Sequence, residues 1–210
     1  MIPGPEYVYK CPNCDNFLTK GSLVSGNTFG EKMYSDGKRI APMLPEFPNL
    51  TKCKKCSAIF WLSKLQKLGT YDEFVDENPT YKNADEAKFL KIEDYFQALN
   101  KGIAENNDEE LTIRQFICWS YNDRVRNNKA MFIDEEDELK WEKNTKALMS
   151  LLEAEYIDSR ILLAELNRNL GNFETCIGII KDIDNEELSW LKEIFLTECE
   201  RKNKLVVQLY

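Results

Sequence analysis

The chain has 210 residues, 43% of them hydrophobic and 30% charged, with a net charge of −8; that is ordinary globular composition, long enough for one moderate domain or two small ones, and it should fold. Histidine is absent, which removes His-based acid–base catalysis, Ser–His and Cys–His nucleophile activation and every His-containing metal site together. No apolar run approaches the ~20 residues of a membrane-spanning helix, and Met1 to Tyr7 offers neither the basic nor the apolar region of a secretion signal, so the expectation is a cytoplasmic protein with no membrane partner.

Residues 1–70 carry ten Lys/Arg against five Asp/Glu, whereas residues 71–210 carry 18 against 31. Such an asymmetry predicts two modules of opposite sign, able to dock on each other or on different partners. The expected boundaries are a metal-binding module over 1–62, a linker or covering segment over 63–83, and an α-helical domain over 84–210, giving an α+β chain.

In chain order, residues 7–62 hold Gly21, Gly26, Gly30, Gly37 and prolines at 12, 42, 45 and 48, the chemistry of loops and short strands. Asp36-Gly37, between Met33–Ser35 and Lys38–Ile40, predicts a hairpin with a two-residue loop, because both residues tolerate positive φ. Ser25 to Gly30 is a turn-rich loop that completes no phosphate-binding fingerprint. Pro42, Pro45 and Pro48 stiffen the approach to the second cysteine pair. From residue 84 the period becomes helical, with Phe89, Ile92, Phe96, Leu99 and Ile103 along one face. Helices are expected over 84–104, 108–126, 135–155, 158–170, 173–183 and 186–201. Start signals are Asn83 with Glu86, Asn107 with Glu110, and Asp184 with Glu187. The apolar end, Leu205 to Tyr210, should dock and not fray.

Seven cysteines include two tight pairs, Cys11-Pro-Asn-Cys14 and Cys53-Lys-Lys-Cys56, separated by 38 residues. Each Cys-x-x-Cys turn aims two thiolates at one ion while nearby N–H groups bond to sulfur, and two turns complete a tetrahedron. Four thiolates suit zinc and leave no position for a catalytic water, so one structural zinc ion is the expected cofactor. The two knuckles flanking a β-hairpin resemble a rubredoxin-like zinc ribbon over residues 7–62, with Asp15 and Ser57 in place of the usual glycines. That resemblance also implies the alternative of iron and electron transfer with the same four ligands. The whole-chain pattern is similar to a bacterial zinc-ribbon family of unassigned role.

In the helical half, Leu163 and Ala164, then Leu170-Gly171-Asn172-Phe173, then Cys176, Ile180 and Ile183 resemble a tetratricopeptide helical hairpin; Asn167 replaces the usual aromatic and one copy is evident. The resemblance implies a protein- or peptide-binding scaffold. Trp119, Asn122, Asp123 and Arg126 share one face at i, i+3, i+4 and i+7, a candidate recognition site or, alternatively, a helix end with local polar bonds. Cys118, Cys176 and Cys199 lie in apolar helical context and should pack as small hydrophobes. The acid runs at 108–110 and 134–137 fall at helix starts, where they complement the dipole.

Two functional expectations compete. One is a zinc-stabilised adaptor with a protein or peptide partner. The other is nucleic-acid binding through Lys32, Lys38, Arg39, Lys52, Lys54 and Lys55, with Tyr34, Phe47, Phe60 and Trp61 among them, opposed by the acidity of the whole chain. No motif argues for an enzyme.

Overall fold

The computed structural model describes residues 1–72 and 78–210. Their contacts divide into two compact units, Met1–Glu31 with Ala41–Ile103, and Lys32–Ile40 with Ala104–Tyr210. The chain is α+β, as the sequence predicts.

The first unit is built on strands β1 (Ile2–Lys10) and β2 (Phe17–Ser25), paired antiparallel from Ile2↔Ser25 to Lys10↔Phe17. The short strands β3 (Lys32–Met33) and β4 (Arg39–Ile40) belong to the other unit, after which β5 (Leu50–Lys52) and β6 (Ile59–Trp61) make a second antiparallel pair here. Strand β7 (Gly69–Tyr71) joins β1, and β8 (Asp85–Glu86), after the one-turn helix α1 (Pro79–Lys82), lies parallel to β2. The sheet order is therefore β7-β1-β2-β8. The unit's buried side chains Tyr9, Leu18, Phe60, Leu62 and Ala87 pack around Cys11 and Cys53. Gly21 in β2 has no side chain because the Phe47 ring lies where its Cβ would be.

Helix α2 (Ile92–Asn100) completes this unit. It is shorter than the helix expected over 84–104, and Asn83 with Glu86 is not its start: Asn83 ends α1 instead. The reason is that tertiary bonds claim the backbone before it can coil. Ala87 N–H donates to the Thr19 carbonyl, and the Thr51 hydroxyl both accepts from Lys88 N–H and donates to the Lys88 carbonyl. Once past Lys91 the apolar face forms, burying Tyr95 and Ala98, and Lys52 pairs with Asp94 at 2.7 Å. The Trp61 indole N–H donates to the Ile103 carbonyl.

The second unit contains α3 (Asn107–Arg126), α4 (Glu135–Leu151), α5 (Ile157–Leu170), α6 (Phe173–Lys181) and α7 (Ser189–Glu200). Asn106 caps α3 by accepting from Glu109 N–H, one residue before the expected position, and Asp134 caps α4. Asn185 takes the role expected of Asp184, capping the 3₁₀ turn Glu186–Leu188 ahead of α7. Helices α5 and α6 form a tight hairpin about Gly171, at φ 86°, and Ala164, Cys176, Ile180, Phe195 and Cys199 fill its core with α7. Asn167, in the aromatic's place, is buried and bonds to the Leu163 carbonyl.

Two boundaries therefore differ from the sequence-based expectation. Residues 84–103 belong with the cysteines, and so does the expected linker through β7; positions 73–77 of that segment lie outside the described residues. The hairpin of β3 and β4 belongs with the helices. Its loop is also longer than two residues. Gly37 N–H donates to the Tyr34 carbonyl, Tyr34 N–H to the Lys38 carbonyl, and only Gly37 has positive φ, 78°, so a type I turn is followed by one left-handed residue. Asp36 keeps ordinary φ because its carboxylate is committed twice: it accepts from Lys38 N–H and it turns inward.

Inward it meets α3. Asp36 is 1% exposed and pairs with buried Arg126, while Asn122 Nδ2 donates to it at 2.8 Å. Next to it, the Ser35 hydroxyl donates to Glu165 at 2.8 Å, and Glu165 forms a fully buried pair with Arg168 at 2.7 Å. The C-terminal segment lies along the other side of the hairpin, with Ser35 N–H donating to the Val207 carbonyl and Leu209 N–H to that of Met33. It docks, as its apolarity predicts. Removing one partner of a buried ion pair strands the other charge. Asp36→Ala should therefore lower the stability of the helical unit by about 3–5 kcal/mol, read from the denaturant midpoint of its helical circular dichroism. Lys38→Ala, which breaks the part-exposed pair with Asp123, should cost under about 1 kcal/mol.

Candidate metal centre

Each cysteine pair occupies the tip of its own antiparallel hairpin: Cys11 and Cys14 link β1 to β2, and Cys53 and Cys56 link β5 to β6. The tips are built alike. Cys11 N–H donates to the Asn16 carbonyl and Asp15 N–H to that of Cys11; Cys53 N–H donates to Ala58 and Ser57 N–H to Cys53. These turns close only if the residue after the second cysteine is left-handed. Asp15 and Ser57 are so, at φ 56° and 60°. The expected hairpin between the knuckles is thus not the scaffold of this site; the knuckles are themselves the scaffold.

The four sulfurs lie within 4.8 Å of one another. Cys11 and Cys56 are 3.6 Å apart and Cys14 and Cys53 3.7 Å, far too long for a disulfide. The edge of a tetrahedron whose metal–sulfur bonds are about 2.3 Å is about 3.8 Å, so these two edges match it and all four sulfurs lie close enough to share one ion. Cys11 and Cys53 are buried and Cys14 and Cys56 half-buried. Backbone N–H groups of Asn13 and Cys14 bond to Cys11, and that of Ala58 to Cys56. In the absence of a cation, burial pushes the Cys11 thiol up to about 12, whereas the Asn13 side chain and Ala58 N–H bring Cys56 down to about 6. Four adjacent thiolates need a cation before all can be ionised.

Asn13 and Asp85 are residues the sequence reading missed. Asn13 reaches from the first knuckle to a sulfur of the second. Asp85 accepts from Asn16 at 2.9 Å and pairs with Lys54 at 3.0 Å, so one carboxylate ties both knuckles together. Lys54 holds it below the usual carboxylate range. Neither contact has a short-range signature: Asn13 reaches the distant Cys56, and Asp85 is more than sixty positions from the first knuckle.

The basic residues are divided. Lys52, Lys54 and Lys55 surround the second knuckle, whereas Lys32, Lys38 and Arg39 lie in the hairpin of the helical unit. Lys38, Lys52 and Lys54 are already in ion pairs, and Phe60 and Trp61 are buried.

Trp119, Asn122, Asp123 and Arg126 do share a face of α3, and that face holds the chain's own hairpin. Trp119 Nε1 donates to the Asp36 carbonyl at 3.0 Å, Asn122 and Arg126 bind its carboxylate, and Asp123 pairs with Lys38 at 2.6 Å and with Arg126 at 2.8 Å. Cys118, Cys176 and Cys199 are buried, and burial raises all three thiols, Cys118 to about 12, which makes them inert.

Compared with protein-family models, curated proteins and solved structures, the chain matches none. No helix among the described residues is long and apolar enough to cross a membrane.

Outer partners of metal-bound thiolates typically change affinity by 10–100-fold. Asp85→Ala should weaken metal retention by about that factor, measured by competition with a chromophoric chelator. At the knuckle turn, Ser57→Gly should be tolerated and Ser57→Val should lose metal more readily, since a β-branched side chain opposes positive φ.

Proposed function

We propose that this chain is a zinc-stabilised protein-interaction adaptor, in which the metal holds a small β module and the helical unit presents a binding surface. The observation that carries it is the closure of the cysteine cluster. All four donors come from the protein, so a tetrahedral ion held by Cys11, Cys14, Cys53 and Cys56 has no position left for substrate or water. Zinc there would cross-link two hairpin tips and supply no reaction. The chain also has no histidine, and the remaining thiols are buried.

Such an ion supports folding outright, on the order of 10 kcal/mol for zinc in small modules. Surfaces are then what remains for function, and helical hairpins of this kind serve as scaffolds for peptides and proteins. The rival nucleic-acid reading needs a continuous basic face. It is weakened by the ion pairs that already occupy Lys38, Lys52 and Lys54 and by the burial of Phe60 and Trp61.

Elemental analysis of freshly isolated protein should find about one zinc per chain with no visible absorption; an iron–thiolate spectrum would replace this reading by electron transfer. Mass spectrometry of proteins retained by the intact zinc-loaded chain should return a reproducible partner. Retention of RNA or DNA alone would favour the rival.

A further inference from the structure

The helical unit has a cleft of about 560 Å³, within the size range of ligand sites, about 300–1,000 Å³. Its walls come from the β3–β4 hairpin, α3, α5, the start of α7 and the C-terminal segment, and include Trp119, Asp158, Leu188, Trp190, Leu209 and Tyr210. Every wall belongs to one unit.

Two aromatic rings here already carry cations of the protein. Lys38 lies 5.9 Å from the centre of the Trp119 ring, and Arg126 lies 4.4 Å from that of Tyr34. Trp190 and Tyr210 are 41% and 53% exposed and face each other at 6.3 Å, tilted by 60°. Tyr156 and Ile157, immediately before Asp158, are also exposed. Large aromatic side chains left in water beside a cleft are the usual anchors of an interface.

Charge selects the occupant. The helical unit carries 24 Asp/Glu against 17 Lys/Arg. At the entry to α5, Glu153, Glu155 and Asp158 are exposed, and so are Asp184, Glu186 and Glu187 ahead of α7. The nearby cations are engaged: Arg160 pairs with Asp182, Lys192 donates to the Ile183 carbonyl, and Arg39, in the cleft wall, has a contact of its own. Asp158 and Arg39 line the cleft itself, and the other exposed carboxylates flank its walls along the chain; in a unit with this excess of acid, the balance attracts basic chains and repels acidic ones.

We infer that this cleft binds a basic, apolar peptide segment of a partner protein, seating aliphatic side chains between Trp190, Tyr210 and Leu188 and lysine or arginine against the acidic rim and the open ring faces. This rests on the adaptor reading and specifies its partner. Nucleic acid is disfavoured by the same carboxylates.

The test uses the full zinc-loaded chain and two fluorescein-labelled, end-capped octapeptides, one alternating lysine with leucine and one alternating glutamate with leucine, followed by anisotropy. The lysine peptide should bind, and weaken as salt rises from about 50 to about 500 mM. The glutamate peptide should not bind. Trp190→Ala should weaken binding about tenfold or more, and Trp190→Phe should restore part of it. Asp158→Asn with Glu186→Gln should weaken it several-fold, while Glu136→Gln on the exposed side of α4 should leave it unchanged. Circular dichroism of each variant monitors the fold. Equal binding of both peptides, no binding of the lysine peptide, or full affinity in folded Trp190→Ala overturns the inference. If a cellular partner is still retained in any of those cases, the adaptor reading stands without this cleft; if none is retained, both fall.

Discussion

The carboxylate of Asp36 decides how this chain is divided. It is buried against Arg126 and Asn122, and a buried charge without those partners would cost several kcal/mol. The hairpin that carries it must therefore stay with the helices, although it is encoded between the two cysteine pairs. The chain leaves the β unit after Glu31, supplies nine residues to the other unit and returns at Ala41. Neither unit is a continuous stretch of sequence as a result. The adjacent Ser35, bonded to Glu165 and to the C-terminal segment, extends the same polar contact from α3 to α5 and to the tail.

The metal centre follows a different logic, one of local closure. Each knuckle is a short hairpin tip with its own backbone bonds and one left-handed residue, and the two tips together cluster four thiols. The tips are joined by Asn13 and by Asp85, so the donors are pre-arranged by bonds outside the coordination shell.

Much of this was legible from residue order. The cysteine pairs announce themselves because both donors of a knuckle are three positions apart. Helices α3 to α7 were visible because capping and apolar periodicity act within one or two turns. That Trp119, Asn122, Asp123 and Arg126 share a face of α3 was also visible, since they follow helical spacing, but that the chain's own hairpin occupies it was not. Arg126 and Asp36 are ninety positions apart, and nothing in either stretch specifies the other. The cleft had no signal either, because Trp119, Trp190 and Tyr210 come from three separate elements.

By itself the sequence determined the two cysteine pairs that cluster, the absence of histidine chemistry, the α+β class and the main helices, all properties set by composition or by neighbours along the chain. Tertiary structure alone decided three further matters. It turned residues 84–91 from helix into strand and loop by claiming their amides and carbonyls for β2 and Thr51. It moved the Asp36 hairpin from the metal module to the helices. It assigned Lys32, Lys38 and Arg39 to the helical unit and Lys52, Lys54 and Lys55 to the other. In each case a contact between distant residues outweighed the local preference, because a buried polar group must find its partner wherever the chain can provide one.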